Sequence, residues 1–563
     1  MLEHCGIPVE QDLLSYSDFQ AILAEVRHGR QPLGLHVKWR KQNYCNYSSE
    51  RESLNSFSVP SKPALTKLDL YKNNVLSFLE DNRQHIACLV VYYCITFALF
   101  AWKFFSYSQM SEHRDLRRVM GLGIAFTRGA AAPISFSYSI LLLPVCRHLI
   151  TRLRETWVND YIPLDAAITF HKIVAITGLV FTLIHTIGHC INFYHISTQS
   201  QEGLRCLFQE AVFSSDFQPD ISYWFTRTVT GITGVMLVAV VSIMYCFAAP
   251  AVINNAYHAF RLTHLMHVLI YTLTILHGLP KLLDKPSFWC FFLGPFICFI
   301  VDKIMLARQK YRKLEIVSAS LLVSDVAYVQ FKRPRNFQFK SGQWVQMSCP
   351  AFNCCRFNEW HAFSLASAPQ EHTLEIYVKA QGPWTWQMRR VIYEAQQSGK
   401  PYPLLHMCGP YGGGNQDWSN YEVAILVGGG IGVTPYASIL ADLVKSRSNS
   451  KVFSTVSCTK VYFLWICPTH RNFEWFIDVL RDVERQDTES ILEVHIFITQ
   501  FFHKFDLRTT MLYICEKHFQ RIEGRSMFTG LRAVNHFGRP NMEIFLQYVQ
   551  GRHEKVGCMF LMR

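Results

Sequence analysis

The stretch Phe170–Asn192, FHKIVAITGLVFTLIHTIGHCIN, is an apolar run of bilayer-spanning length that carries His171, His185 and His189. An imidazole inside a lipid-spanning helix is costly unless it has a partner, so each of these histidines marks a functional candidate. A second apolar run, Arg261–Gly278 (RLTHLMHVLIYTLTILHG), carries His264, His267 and His277. His171 and His185 are fourteen residues apart, roughly 21 Å along a helix axis; His264 and His277 are thirteen apart, roughly 20 Å. On two neighbouring parallel helices these spacings predict imidazoles at matched heights. His171 would pair with His264 and His185 with His277, and each pair would clamp the iron of one haem. Helix–helix hydrogen bonding is the competing explanation for any single histidine, but four at matched depth favour ligation. Thirteen residues miss the same helix face by more than about a third of a turn, so the second helix must bend, bulge or rotate locally. His267 is the alternative ligand on the inner side.

Composition agrees with a membrane setting. The 563 residues are 50% hydrophobic and 14% aromatic but only 17% charged, which favours a multi-domain membrane protein over a soluble enzyme. The net charge of +13 is scattered among apolar runs, with no zinc-finger spacing or RNA-binding signature, so nucleic acid is not expected as a partner. The 18 cysteines form no disulfide framework and read as buried small hydrophobes. The opening MLEHCGIPVEQDLL lacks a basic region followed by an apolar one, so no signal peptide is expected.

Residues 1–82 are polar: Leu14–Gly29 reads as an amphipathic helix, followed by a Ser-, Asn- and Pro-rich linker. Six spans follow, at about His85–Phe105, Gly121–Val145, Ala166–Asn192, Thr230–Val252, Thr263–Gly278 and Phe288–Met305. Positive residues in Cys146–Asp160 and after the last span place both segments, with the N-terminus, on the cytoplasmic side; Arg114, Arg117 and Arg118 run against that bias. His171 and His264 then lie near the inner face, His185 and His277 near the outer. Arg128, near the outer end of the second span, needs a haem propionate or an anionic substrate as partner, unless it snorkels to the interface. With His189, one turn beyond His185, it could hold dioxygen and stabilise negative charge developing there.

Beyond Arg312 the texture changes to short alternating runs broken by Gly and Pro, the pattern of a small antiparallel barrel. On spacing alone His361-Ala362-Phe363-Ser364 and the strand ending at Lys379 are ordinary strand and turn. The strand EVAILV, the turn Gly428–Pro435 (GGGIGVTP) and the helix YASILADLVKS stand in the order that brings backbone amides to a pyrophosphate. Apolar strands at Val461–Ile466 and Leu492–Thr499 extend an open α/β sheet.

Taken together, FHK…H…H, LTH…LHG, HAFSLASAP, GPYGGG and VGGGIGVTP resemble the flavocytochrome NADPH oxidases. FRLTH, SGQWV, VKAQGPWT, FEWF, KFDLRTTMLYICEKHFQ, FTGLR and HFGRP make the chain most similar to the dual oxidases, from about residue 70 to 557. The resemblance implies a six-helix transmembrane haem bundle with a cytosolic ferredoxin-reductase-like β-barrel and an α/β nucleotide-binding domain. The corresponding boundaries are 1–82 for the cytosolic segment and linker, 83–307 for the haem domain, 308–418 for the FAD barrel and 419–563 for the NADPH domain. It implies two b-type haems on His171/His264 and His185/His277, with Arg128 and His189 lining an oxygen-reducing site. It further implies FAD contacts from His361, Phe363, Ser364 and Lys379, and NADPH contacts from Gly429, Gly430, Gly432, Thr434 and Pro435. Arg539 would reach the 2′-phosphate. The implied activity passes electrons from NADPH through FAD and haem to dioxygen, giving superoxide or hydrogen peroxide, in the plasma membrane, with a maturation or activator subunit as partner.

The sequence departs from the dual-oxidase pattern in three places. The peroxidase-like domain, extra span and EF-hands have no counterpart beyond a remnant at Leu14–Glu25. Pro468 stands near the position of a 2′-phosphate arginine, leaving Arg471 as its substitute. Val556–Arg563 (VGCMFLMR) carries no Cys-Gly-Pro turn or terminal aromatic, which implies impaired hydride transfer. The alternatives are a transmembrane metal reductase and a truncated, non-catalytic form acting through partner binding.

Overall fold

The computed structural model describes residues 67–200, 202–204, 219–280, 285–309, 312–352, 359–412, 417–448, 457–469, 474–500, 507–553 and 558–562. The expected Leu14–Gly29 helix, Gly413, Gly414, Arg471 and the Cys354-Cys355 pair lie outside them. The chain divides into a helical unit, Ala64–Arg308, and a second unit containing Gln309–Arg563.

In the helical unit α1 (Lys67–Asp81) leads into the long α2 (Arg83–Gln109). A 3₁₀ turn at Ser111–His113 and α3 (Arg114–Met120) precede α4 (Gly123–Ile140) and α5 (Arg147–Leu153). Then come α6 (Ala167–Ser197), α7 (Ile221–Thr226), α8 (Val229–Phe247), α9 (Pro250–Asn255), α10 (Tyr257–His264), α11 (His267–Gly278) and α12 (Phe288–Gln309). Among the described residues five helices are long and apolar enough to cross a membrane; Ser111–Met120 with Gly123–Val145, bent by 114°, makes up to six. The six expected spans all fall on these helices. Val91, Phe97, Trp102, Ile176, Leu183 and Trp289 are exposed, an apolar surface that suits lipid rather than water.

Small residues let α4 and α6 pack closely. A Cβ on Gly188 of α6 would lie 2.4 Å from Thr127 Cγ2 on α4, so only glycine permits the approach. The bundle core holds Tyr92, Tyr138, Val174, Val240, Ile270 and Leu273. A buried acid ties its ends: Asp302 of α12, 2% exposed, accepts from the amides of His148 (2.8 Å) and Leu149 (3.3 Å) at the start of α5. Those amides begin a helix and have no acceptor within it.

The second unit starts with two antiparallel sheets. One is ordered β1 (Arg312–Leu314), β7 (Leu405–Tyr411), β4 (Trp344–Ser348), β5 (His361–Ser364). The other is β2 (Ile316–Leu321), β3 (Val326–Lys332), β6 (Thr373–Lys379), and α13 (Pro383–Ser398) joins β6 to β7. Their inner faces and α13 share Val329, Phe331, Val345, Met347, Ile376, Trp384, Met388 and Ile392. A parallel sheet follows, ordered β11 (Val534–Phe537), β10 (Leu492–Ile498), β9 (Lys460–Cys467), β8 (Val423–Gly429), β12 (Cys558–Met562). Its connecting helices are α14 (Thr434–Ser448), α15 (Ile477–Gln486), α16 (Leu507–Glu523) and α17 (Met542–Arg552). Alternation assigns the faces: Ala424 and Leu426 pack with Leu440 of α14 and Leu480 of α15, while Ile425 and Val427 pack with Phe545 and Val549 of α17. Both faces are covered, which is why β8 reads as an unbroken apolar run.

Barrel and parallel sheet share a seam. Val326, Ala366 and Tyr377 of the barrel belong to the same core as α14 and α15. Ser438 Oγ donates to Ser367 O (2.6 Å), Gln370 Nε2 to Asp442 Oδ1 (2.6 Å), and Lys445 pairs with Glu371.

Candidate functional site: two imidazole pairs and a nucleotide edge

The ring centres of His171 and His264 lie 6.3 Å apart, and those of His185 and His277 also 6.3 Å apart. The two pairs form together only if α6 runs parallel to α10–α11. The second run reaches both heights by breaking. Between α10 and α11 the amides of Leu265, Met266 and Val268 bond three residues back, to Leu262, Thr263 and Leu265, as in 3₁₀ winding. Thirteen residues of α-helix stop about 140° short of four turns. Each residue at 3₁₀ pitch adds about 20°, so the three residues of this turn recover about 60° of the deficit.

The residues fit haem. An iron midway between two imidazole nitrogens, each at about 2.0–2.1 Å with the ring centre a further ~1.1 Å behind, needs ring centres about 6.3 Å apart. No group of three or more His, Cys, Asp or Glu gathers in metal-binding geometry among the described residues. Two imidazoles therefore suit an iron whose other ligands come from a macrocycle. Hydrogen bonds also orient the rings. His171 Nδ1 lies 3.1 Å from Leu141 O, and His185 Nδ1 lies 2.9 Å from Thr127 O. A carbonyl only accepts, so the proton is on Nδ1 and the Nε2 lone pair is left for metal. His267 Nδ1 is instead tied back to His264 O at 2.8 Å.

His189 stands 4.5 Å from His185 and 5.5 Å from Phe193, ring to ring. The half-buried Arg128 lies over the Tyr107 ring at 5.8 Å, and its buried Nε makes no hydrogen bond among the described residues. Tyr107, Met120, Ile124, Ile196 and Trp224 close this end of the bundle with Phe193 and Tyr223 against them. The sequence did not single out Asn192, which is 1% exposed and donates to Thr127 Oγ1 at 3.2 Å. An isolated asparagine carries no sequence signal for such a role.

In the barrel, His361 and Phe363 project from β5 against the Trp384 ring at the start of α13, at 4.5 and 5.7 Å. Trp384, in the stretch GPWT, is 7% exposed. Ser364 pairs with Trp344 at the end of β5, and Lys379 ends β6. Burial pushes the Cys467 thiol up to about 12, with the Lys379 ammonium opposing it. Lys379 therefore stands near the carboxyl end of β9.

The nucleotide candidates gather on one edge. Gly430, Gly432 and their neighbours form a 3₁₀ turn between β8 and α14, and Gly430 has φ +53°, which favours glycine. Thr434 Oγ1 donates to Ile431 O (2.7 Å) and Trp465 Nε1 to Gly430 O (3.2 Å), pinning the turn; Pro435 follows in the first turn of α14. Arg539 is exposed just beyond β11. It stands three strands from Gly429, roughly 14 Å at ordinary strand spacing, on the carboxyl edge where open α/β sheets bind ligands.

These features match known domains: a ferric reductase like transmembrane component over residues 135–275, an FAD-binding domain over 311–415 and a ferric reductase NAD binding domain over 421–560. The chain is therefore an integral membrane flavocytochrome oxidoreductase whose cofactor classes are haem, FAD and a nicotinamide nucleotide. More specifically, over nearly its whole length it is similar to the dual oxidases. It is 54% identical to Dual oxidase 1 of Caenorhabditis elegans over 99% of its length, 52% identical to Dual oxidase of Drosophila melanogaster over 96%, and 44% identical to Dual oxidase 1 of Homo sapiens over 85%. The chain spans about a third of the length of these curated relatives, 37%, 35% and 31% respectively.

Proposed function

We propose that this chain moves electrons from NADPH across a membrane to dioxygen, releasing superoxide or hydrogen peroxide. The supporting observation is the pair of 6.3 Å imidazole clamps on parallel helices. Bound FAD and haems would supply the redox chemistry, dividing the two electrons of a hydride into single transfers. For superoxide the balance is one NADPH and two dioxygen giving NADP⁺, a proton and two superoxide ions. The chain's own part is positioning. His171 with His264, and His185 with His277, hold the two irons. His361, Phe363, Ser364 and Lys379 hold the flavin. Gly429, Gly430, Gly432, Thr434 and Pro435 receive the nucleotide, and Arg539 its 2′-phosphate. Arg128 and His189 receive dioxygen, the guanidinium stabilising the negative charge that grows on it. The positive segments support a cytosolic side for the nucleotide domains; the proposed setting is the plasma membrane, with membrane lipid and an activating subunit as partners.

The test is the haem spectrum of the purified chain. A low-spin bis-imidazole spectrum is expected, and His185→Leu should remove one haem of two and abolish oxygen reduction. Retention of both haems in that variant would falsify the pairing. Steady-state reduction of chelated ferric iron in preference to dioxygen would instead support the metal-reductase reading.

A further inference from the structure

We propose that Thr233 is a positioning residue for His277, fixing its tautomer and ring plane, and that Gly234 provides the flat surface on which the ring rests. The inference depends on the two-haem reading above and names the residue that sets one ligand's donor strength.

A threonine hydroxyl has one proton. Thr233 Oγ1 lies 2.6 Å from Val229 O, one turn back on α8, and donates there, with Thr230 O at 3.3 Å as a second acceptor. The hydroxyl oxygen keeps its lone pairs for His277 Nδ1, 3.1 Å away. That ring nitrogen must therefore be the donor, so Nδ1 carries the proton and the Nε2 lone pair is free to face His185. Thr233 is only 7% exposed and is back-bonded within its helix, so its oxygen is held in place. Gly234 makes room beside it: a Cβ there would lie 3.3 Å from His277 Cε1 and 3.7 Å from Nδ1.

The two clamps are supported unequally. His185 gives Nδ1 the acceptor Thr127 O, and His277 has Thr233 Oγ1, with the Thr230 backbone carbonyl as a second hydrogen-bond partner of the ring. In the other clamp His171 has Leu141 O, whereas the buried His264 Nδ1 has no partner among the described residues. Sharing the Nδ1 proton makes an imidazole a stronger donor, which favours ferric over ferrous iron. Removing the Thr233 hydroxyl should raise the midpoint potential at one clamp and leave the other alone.

The test is an anaerobic spectroscopic redox titration of the full chain loaded with haem, with the haem-to-protein ratio and the rate of haem loss measured in parallel. Thr233→Val keeps the branched shape and loses the acceptor. It should retain two haems at assembly, shift one midpoint upward, and lose one haem faster by about tenfold. Thr233→Ser should restore both values. Thr272→Val, which removes an exposed back-bonded hydroxyl on the same helix as His277, should change neither. If Thr233→Val fails to assemble, Thr233→Ala decides by the same criteria. Two unmoved midpoints, or both moved equally, overturn the proposal. A wild-type chain without a bis-imidazole spectrum fails the two-haem reading itself, whereas a normal wild-type spectrum with an indifferent Thr233→Val fails only this inference.

Discussion

Individual residues divide sharply into those that announce themselves and those that do not. Four histidines inside apolar runs stand out because imidazole in lipid needs a reason. The groups that make them useful are threonine hydroxyls and backbone carbonyls, brought to them only by packing; Thr127 is 58 positions from His185 and Thr233 is 44 from His277. Asp302 belongs to the same hidden class. A buried carboxylate that caps two helix-start amides should stabilise the bundle beyond an ordinary cap. Asp302→Ala is expected to cost about 2 kcal/mol or more, read as a lower melting temperature of the detergent-solubilised chain, with Asp302→Asn intermediate because it keeps an acceptor. A melting temperature unchanged in Asp302→Ala would mean that the carboxylate caps nothing of consequence.

Elements were legible where periodicity was strong, and their ends were less so. The six apolar runs fell on helices, and the mismatch of thirteen residues against fourteen demanded a local change in the second histidine helix. The sequence could not say where. The structure puts the change between His264 and His267, directly after the inner histidine. An alanine inserted after Met266 should rotate His264 by about 100° relative to His277. The expected outcome is a fall from two haems to one, with the remaining haem lost when His185→Leu is added. Arg117, which ran against the charge bias, donates to Tyr107 O and Met110 O and so caps the end of α2; its charge has a local use. In the parallel sheet, burial would raise the Glu493 carboxyl, but its hydrogen bonds and charge contacts with His495, Tyr548 and Lys460 outweigh this and hold it at about 2. Burial holds His536 well below the usual histidine range. Both groups bind protons more readily when unfolded. Stability should therefore fall as pH drops below about 6.5, where unfolded His536 takes up a proton, and again from about 4.5 towards 2 as Glu493 protonates. Hydrogen exchange of β10 and α17 peptides in the full chain reads both steps; His536→Phe should flatten the first and Glu493→Gln the second.

Across the whole molecule, the order of haem bundle, barrel and nucleotide sheet could be read from changes in residue texture, because each layer has its own hydrophobic period. The seam between barrel and sheet could not, because Ser367, Gln370 and Glu371 look like loop residues until α14 is packed on them. That seam matters because hydride transfer needs reacting atoms within about 3–3.5 Å, and flavin and nucleotide are held by different sides of it. Glu371 and Lys445 form its ion pair, with the Gln370–Asp442 hydrogen bond close by in the same loop and helix. Glu371→Lys sets two ammonium groups against each other and should open the seam without touching a proposed cofactor contact. The expected result is anaerobic flavin reduction by NADPH slowed by about tenfold or more, with the dithionite-reduced haem spectrum unchanged. Adding Lys445→Glu restores opposite charges and should recover most of the rate. A slow single variant that the second change fails to rescue would point to misfolding of the barrel, and an unimpaired single variant would show that the seam does not set the hydride distance.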